Sequence, residues 1–239
     1  DVDSARELIK EINALVSVHT ANNEIGTIQP INELADIAHR VGAKFHSDAA
    51  QALGKMPSDL QYVDCVLTSF SSHKIYGPKG IGALYIRGGT SNWTWDYILY
   101  GGGQESGIRP GTHNVSAIVG FGEVAFLIKK HATNYLSKLK KIKESCLKII
   151  QSNYLETKLI GNSNNILFGL LCFSISQIQA DALSTSSSRI CISHGSVCNS
   201  RSLSISHVLK SVGLNDHEAA STFRVSLSTN TTGIDLITM

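Results

Sequence analysis

The chain has 239 residues, of which 42% are hydrophobic and 17% are charged, and its formal net charge is +2. This length suits one large domain or two modest domains, and the composition is that of an ordinary globular protein. Because the net charge is near zero, electrostatics gives no reason to expect nucleic acid or an acidic membrane surface as a partner. No apolar run reaches the length of a membrane span.

The first part of the chain alternates helical and strand patterns. Apolar spacing predicts helices over residues 2–12 and 30–41, with Pro30 in the first helical turn and a stop at Gly42. Short apolar runs predict strands over residues 14–18, 44–46, 63–67 and 81–86. Strands that alternate with helices indicate βαβ units, so we expect an α/β fold with a mostly parallel sheet.

The second part of the chain repeats this alternation after a long loop. Residues 87–113 are rich in glycine and polar residues, and helical patterns follow over residues 115–128 and 135–150. We place a domain boundary near His131, which gives a large domain over residues 1–131 and a smaller α/β domain over residues 132–239. In the smaller domain we predict strands over 169–175, 190–192 and 223–227, and helices over 179–183 and 208–212.

Three polar side chains follow the ends of predicted strands. Asn23 lies in a polar turn, Asp48 follows the strand over 44–46, and Lys74 follows a small-residue turn over 69–72. Ligands of open α/β sheets bind beyond the carboxyl ends of the strands, so we expect these residues to converge. A lysine beside low-dielectric walls loses its proton readily and attacks carbonyl groups, although most lysines are simply solvated loop residues.

Other candidates also have a plainer interpretation. Asp48 is equally consistent with a helix N-cap, and Asn23 with a turn residue that caps the backbone. The planar guanidinium of Arg224 is suited to bind a carboxylate through two hydrogen bonds. The plainer interpretation is that Arg224 forms a surface ion pair. Cys198 lies in a small, polar sequence that predicts a reactive thiol, whereas the apolar neighbours of Cys65 and Cys172 predict buried thiols. The five cysteines lack CxxC spacing, which favours free thiols in a reducing compartment.

Six motifs resemble one family. Ser71-Ser-His-Lys74 before Tyr76-Gly-Pro-Lys-Gly80 resembles the cofactor-lysine segment of the class V aminotransferase family, and specifically of cysteine desulfurases. Five further segments match in the same order, namely residues 22–26, 47–51, 107–112, 195–198 and 223–227. The resemblance implies the fold type I architecture of transferases that depend on pyridoxal phosphate (PLP).

The resemblance also implies a role for each matched residue. Lys74 would bind PLP, and a buried Asp48 would hold the ring nitrogen protonated. The other implied cofactor residues are Gln51 at the phenolic oxygen, Asn23 beside the ring and substrate, Ser71 and His73 at the phosphate, and Thr112 at the phosphate of the partner subunit. Arg224 would bind the carboxylate of L-cysteine, and Cys198 would attack its sulfur to leave L-alanine and a persulfide.

The implied partners are a second subunit of a homodimer and a sulfur-acceptor or scaffold protein, in iron–sulfur assembly or other sulfur transfer. The implied compartment is the cytoplasm, or the mitochondrion in a eukaryote. We expect no metal site, because Cys191, His194 and Cys198 have no fourth ligand nearby. A selenocysteine lyase remains an alternative enzyme, and an inactive truncated homologue that acts as a binding scaffold remains an alternative of another class.

The family carries a further N-terminal region before the position of Asp1, which supplies a histidine on the ring and a threonine on the phosphate. We therefore expect a fragment, and we expect the 239 residues alone to be unstable or inactive.

Overall fold

The computed structural model describes residues 2–57, 64–154, 156–161, 164–176, 178–180 and 206–232. The chain divides into two compact units. The first comprises Asp1–Thr20 and Pro30–His131, and the second comprises Ala21–Gln29 and Ala132–Met239. The short segment 21–29 thus groups with the second unit, although it lies between two elements of the first along the chain.

The first unit holds a four-stranded sheet in the order β1-β2-β3-β4. The β1–β2 and β2–β3 pairs are parallel and the β3–β4 pair is antiparallel, which confirms the prediction of a mostly parallel sheet. In chain order, its elements are α1 (Val2–Leu8), β1 (Leu15–His19), α2 (Ile31–Arg40), β2 (Lys44–Asp48), β3 (Leu67–Ser71) and β4 (Gly82–Ile86). Single 3-10 turns span Ser72–Ile75, Thr90–Asn92 and Gln104–Gly107.

Helix α2 forms because its apolar residues recur at helical spacing and cover one face of the sheet. Ile31, Leu34, Ala35 and Ala38 are buried in one core cluster with Phe45 and Cys65. The chain leaves the helix through Gly42, whose φ of 78° is a conformation that favours glycine. Pro30 takes the N-cap position and precedes the first helical turn, one residue earlier than predicted.

The predicted bounds of β3 are wrong. We predicted a strand over 63–67 and a turn over 69–72, whereas the strand runs Leu67–Ser71. Ser69 lies opposite Asp48 of β2, and Ser71 lies opposite Gly82 of β4. Hydrogen bonds from strands on both sides hold these serines extended, and side-chain polarity does not reveal such bonds.

Three predicted helices also differ from the structure. Helix α1 ends at Leu8 instead of residue 12, because the chain turns before β1; Ile12 instead packs against the open side of Gly42. The patterns over 115–128 and 135–150 belong to one helix, α3 (Val115–Asn153). The polar residues 129–134 contain neither proline nor glycine, so nothing there ends the helix.

The second unit contains an antiparallel sheet in the order β5-β6-β7. Its elements beyond α3 are β5 (Thr157–Leu159), β6 (Leu170–Ile175), α4 (His207–Ser211), α5 (Asp216–Ala220) and β7 (Thr222–Ser226). All six residues of β6 are buried, and Phe173 stacks on Phe223 with ring centroids 5.8 Å apart. Cys146 and Ile150 of α3 complete this core.

Predictions for the second unit are confirmed in part. Strands β6 and β7 and helix α4 lie where the apolar patterns predict them. Strand β5 and helix α5 were not predicted, although α5 carries a sequence signal: Asn215 and Glu218 form a reciprocal capping box. The predicted strand over 190–192 and most of the predicted helix over 179–183 lie outside the described residues. Among the residues that are described, no helix is long and apolar enough to cross a membrane.

Candidate functional site

Lys74 lies in the 3-10 turn Ser72–Ile75, which directly follows β3. Gly77 closes this turn by donating its N–H to the Ser72 carbonyl at 3.1 Å. The side chain of Lys74 is half-buried, and within the described part of the chain its ammonium forms no hydrogen bond or ion pair. A lysine at a strand end that lacks a protein partner is available to a ligand.

Asp48 is the last residue of β2, the parallel neighbour of β3. It lies opposite Ser69, and the N–H of Ala49 donates to the Ser69 carbonyl at 2.9 Å. The carboxyl ends of β2 and β3 therefore lie at the same edge of the sheet, so Asp48 and the Lys74 turn come from adjacent strand ends.

The environment of Asp48 differs from the expectation in one respect. The carboxylate is exposed in this chain, whereas the family resemblance implies a buried one. One oxygen, Oδ1, accepts the Ala50 N–H at 2.9 Å. The described residues after Asp48 form turns and no helix, so the N-cap alternative does not hold. No described residue donates a hydrogen bond to its other oxygen.

The remaining candidates in the first unit are polar groups near these strand ends. Ser71 Oγ and His73 Nδ1 form a hydrogen bond of 2.9 Å just before Lys74. Gln51 Oε1 accepts a hydrogen bond from Lys55 Nζ at 2.9 Å. Thr112 is exposed in the loop before α3, and no hydrogen bond joins it to the other candidates within the described chain.

His46 was not predicted as part of the site. It precedes Asp48 by two residues in β2 and so shares its face of the sheet. Its Nδ1 lies 2.8 Å from Ser17 Oγ, and its Nε2 lies 3.2 Å from Ser69 Oγ. One imidazole thus links β1, β2 and β3 beneath the strand ends. The two-residue spacing from Asp48 was the signal available in the sequence.

The chemistry of these groups fits PLP. Among the described residues, the Lys74 amine has no partner, and one Asp48 carboxylate oxygen accepts no hydrogen bond. The Ser71 hydroxyl, the His73 imidazole and the N–H groups of the turn are donors that suit a phosphate dianion.

Asn23 stands at the tip of a rigid turn in the second unit. Asn22 Oδ1 accepts the N–H groups of Glu24 and Ile25 at 2.8 and 3.0 Å, which closes the turn from inside. Gly26 has a φ of 73°, and a Cβ there would lie 2.9 Å from side-chain carbons of Ile166 and Leu170. Only glycine satisfies both requirements at this position, and Asn23 is exposed in the turn.

Arg224 of β7 contacts this turn. Its Nη1 donates to the Asn23 carbonyl at 3.0 Å. Its Nε is buried and has no hydrogen-bond partner among the described residues. Arg224 forms no ion pair within those residues either, so they give no support to a surface ion pair. Within the described part of the chain, its Nε donor is therefore not satisfied.

Cys172 lies directly opposite Arg224 in the β6–β7 pair. Burial raises the pKa of its thiol to about 12, and the charge of Glu24 adds to this increase while Arg224 opposes it. Burial likewise raises the pKa values of Cys65 and Cys146 to about 11. Cys65 and Cys172 are thus buried, neutral thiols, as predicted.

Cys198 lies outside the described residues, together with Cys191 and His194. Among the residues that are described, no three His, Cys, Asp or Glu side chains are arranged to hold a metal ion. Sequence reasoning also missed Glu24 and Ser206 of the second unit. Glu24 belongs to the matched 22–26 motif but received no role, and Ser206 stands where an N-cap residue precedes the predicted helix over 208–212.

The chain is similar to known proteins over its whole length. The sequence model of the aminotransferase class-V family matches residues 1–237. A curated relative, cysteine desulfurase IscS of Buchnera aphidicola subsp. Acyrthosiphon pisum (strain 5A), is 40% identical over 240 residues, which cover 99% of this chain and 58% of that protein. A probable mitochondrial cysteine desulfurase of Dictyostelium discoideum is 37% identical over 232 residues, which cover 97% of this chain and 51% of that protein.

Solved structures show the same relationship. The crystal structure of a NifS-like protein from Rickettsia africae ESF-5 superimposes with a TM-score of 0.87 at 33% identity. The match covers 99% of this chain and 63% of that one. The chain thus spans between about half and two thirds of the length of these relatives.

Proposed function

This chain belongs to the class-V aminotransferase family, and we propose that it serves as a PLP-dependent cysteine desulfurase. The observation that carries the proposal is Lys74, a lysine without a protein partner among the described residues, at the strand end adjacent to Asp48. Its setting supports a cofactor lysine, and relatives that match nearly the whole chain bear the name cysteine desulfurase. No observation favours a selenocysteine lyase or an inactive scaffold.

The residues that would hold PLP are those that the family resemblance assigns to the cofactor. Lys74 would bind the cofactor through its amine, and Asp48 would face the ring nitrogen with the carboxylate oxygen that accepts no hydrogen bond from the described chain. Ser71 and His73 would donate to the phosphate, with Gln51 and Asn23 at the ring and Thr112 at the phosphate bound by a partner subunit. When bound, PLP supplies an electron sink for charge that develops at the substrate Cα.

The substrate of this proposal is L-cysteine. Arg224 binds its carboxylate through the part of the guanidinium that Asn23 leaves available. Lys74 removes the proton from Cα and later returns a proton to the product.

Cys198 carries out the sulfur transfer in this proposal. Its thiolate attacks the substrate sulfur, the bond between that sulfur and Cβ breaks, and the electron pair stays with carbon, which is protonated to give L-alanine. Cys198 then carries the sulfur as a persulfide. The two thiols become one persulfide and one alanine, so no external oxidant or reductant is needed.

The wider setting follows from the family. We assign cofactor binding to residues 1–131 and the sulfur-carrying cysteine to residues 132–239. The partners we propose are a second subunit and a sulfur acceptor or scaffold of iron–sulfur assembly. We propose a cytoplasmic location, or a mitochondrial one in a eukaryote, since one relative is named as mitochondrial.

Borohydride reduction of the PLP-loaded protein tests the role of Lys74. We expect the pyridoxyl label on the peptide that contains Lys74, and we expect Lys74→Ala to lose both the label and alanine release from L-cysteine. Lys79→Ala is the matched control, because Lys79 is an exposed lysine in the same loop. A label on Lys79, or turnover that survives in Lys74→Ala, contradicts the proposal.

A further inference from the structure

A buried carboxylate lies behind the Asn23 turn, and the reaction described above does not use it. Glu24 is only 5% exposed and Ser206 only 4%. Ser206 Oγ donates a hydrogen bond of 2.5 Å to Glu24 Oε2, although the two residues are 182 positions apart. A buried carboxylate is costly unless it is paired and hydrogen-bonded, so its presence here calls for a structural or functional reason.

The hydroxyl of Ser206 is held from both sides. As the N-cap of α4, it accepts the N–H groups of Val208 and Leu209 at 3.1 and 3.5 Å. Its single proton is therefore left for Glu24. The position of the Glu24 side chain is thus tied to the backbone of α4.

The other end of Glu24 belongs to the turn that contacts Arg224. The Glu24 N–H donates to Asn22 Oδ1 at 2.8 Å, and the preceding residue, Asn23, offers its carbonyl to Arg224 Nη1 at 3.0 Å. A continuous set of hydrogen bonds and one peptide link therefore joins α4 to the guanidinium through Ser206, Glu24 and Asn23.

The arrangement determines which edge of the guanidinium has no partner among the described residues. Nη1 is engaged by the Asn23 carbonyl, and the buried Nε has no partner among the described residues. A carboxylate can accept two parallel hydrogen bonds from the edge formed by Nε and Nη2. If the Asn23 carbonyl moved, the plane of the Arg224 guanidinium would rotate and this bidentate geometry would be lost.

Charge supports the same arrangement. Cys172 lies opposite Arg224, and the charges of Glu24 and Arg224 act on its thiol in opposite directions. Both charges therefore lie near one buried atom.

We propose that Glu24 is a positioning residue for carboxylate recognition: through Ser206 it holds the Asn22–Gly26 turn so that the Asn23 carbonyl orients Arg224. The ligand class is an α-amino acid with a free carboxylate. This inference rests on the proposed function for the identity of that amino acid, L-cysteine.

The test compares two ligands that differ only at the carboxylate. Dissociation constants of L-alanine and L-alaninamide are measured by spectral titration of the PLP-loaded protein, and their ratio isolates carboxylate recognition. We expect wild type to prefer L-alanine, and Glu24→Ala and Ser206→Ala to lower that preference roughly tenfold, because a charge-assisted hydrogen bond is misaligned. Glu24→Gln and Ser206→Thr keep an acceptor and a hydroxyl, so both should retain the wild-type ratio within about threefold.

Glu156→Ala is the matched control. Glu156 accepts a hydrogen bond of 2.6 Å from Ser176 Oγ in the same unit, but this pair is exposed, so its loss should leave the ratio unchanged. If Glu24→Ala does not fold, Ser206→Ala decides the matter by the same ratio.

Three results overturn the inference: a wild-type ratio near one, equal weakening of both ligands in Glu24→Ala or Ser206→Ala, or an equally large loss in Glu24→Gln. Failure of the proposed function is a separate result. It appears as absent alanine release from L-cysteine in wild type, while the ratio of the two dissociation constants remains measurable.

Discussion

Replacing Gly77 with alanine should open the turn that carries Lys74. A Cβ at position 77 would collide with Ser72 Oγ and lie 3.1 Å from the Ser72 carbonyl oxygen. Ser72 is fully buried, and its N–H donates to the Ile81 carbonyl at 3.2 Å, so it has little room to move. The φ of Gly77 is not in the left-handed region, so this contact, and not backbone strain, is the perturbation.

The expected loss of stability in Gly77→Ala is the sum of two contributions. Overpacking a buried site costs about 1–3 kcal/mol, and loss of the hydrogen bond from Gly77 N to Ser72 O costs about 0.5–1.5 kcal/mol. We therefore expect the free energy of unfolding to fall by about 2–4 kcal/mol, which lowers the melting temperature by about 5–15 °C for a chain of this size. On the proposed function, PLP should also bind more weakly, because the turn that carries Lys74 is displaced.

The assay is thermal unfolding of wild type, Gly77→Ala, Ser72→Ala and the double variant. Ser72 Oγ is buried and has no hydrogen-bond partner among the described residues, so Ser72→Ala alone should cost little. The double variant should regain most of the lost stability, because the colliding atom is gone. Gly80→Ala is the control: its φ is 79° but nothing lies within 4 Å of its Cβ, so Ser72→Ala should not rescue it. Wild-type stability in Gly77→Ala, or no rescue in the double variant, would refute the reasoning.

Two further predictions concern ionisable side chains. Cys198→Ser should retain the absorbance of bound PLP but lose sulfide release, because its thiol acts only after substrate binds; desulfuration near the wild-type rate would make the nucleophile assignment wrong. Burial lowers the pKa of Lys143 from 10.5 to about 8. Between these values the unfolded chain binds the extra proton, so the contribution of Lys143 to the free energy of unfolding rises with pH. In urea unfolding measured from pH 8 to 10, Lys143→Met should remove this rise of the unfolding free energy with pH. An unchanged rise in the variant would contradict the assignment to Lys143.

Local pattern was sufficient for most elements. Helix α2 and strands β1, β2, β6 and β7 lie within a residue or two of their predicted bounds, because helical apolar spacing marks α2 and short apolar runs mark the strands. The family prediction is confirmed as well, since the aminotransferase class-V family matches residues 1–237. The position of Lys74 just after a strand and the buried state of Cys65 and Cys172 were predicted for the same reason.

The sequence by itself thus determined most of the elements, the family and the chemical groups at the strand ends. Only the tertiary structure decided which groups meet. The serines of β3 are extended because two neighbouring strands bond them, and α3 is continuous where its polarity suggested a boundary. Asn23 and Arg224 are 201 residues apart, and Glu24 and Ser206 are 182 apart. Periodicity reports whether a side chain is buried, but a hydrogen bond between distant residues depends on the path of the whole chain, which no local pattern encodes.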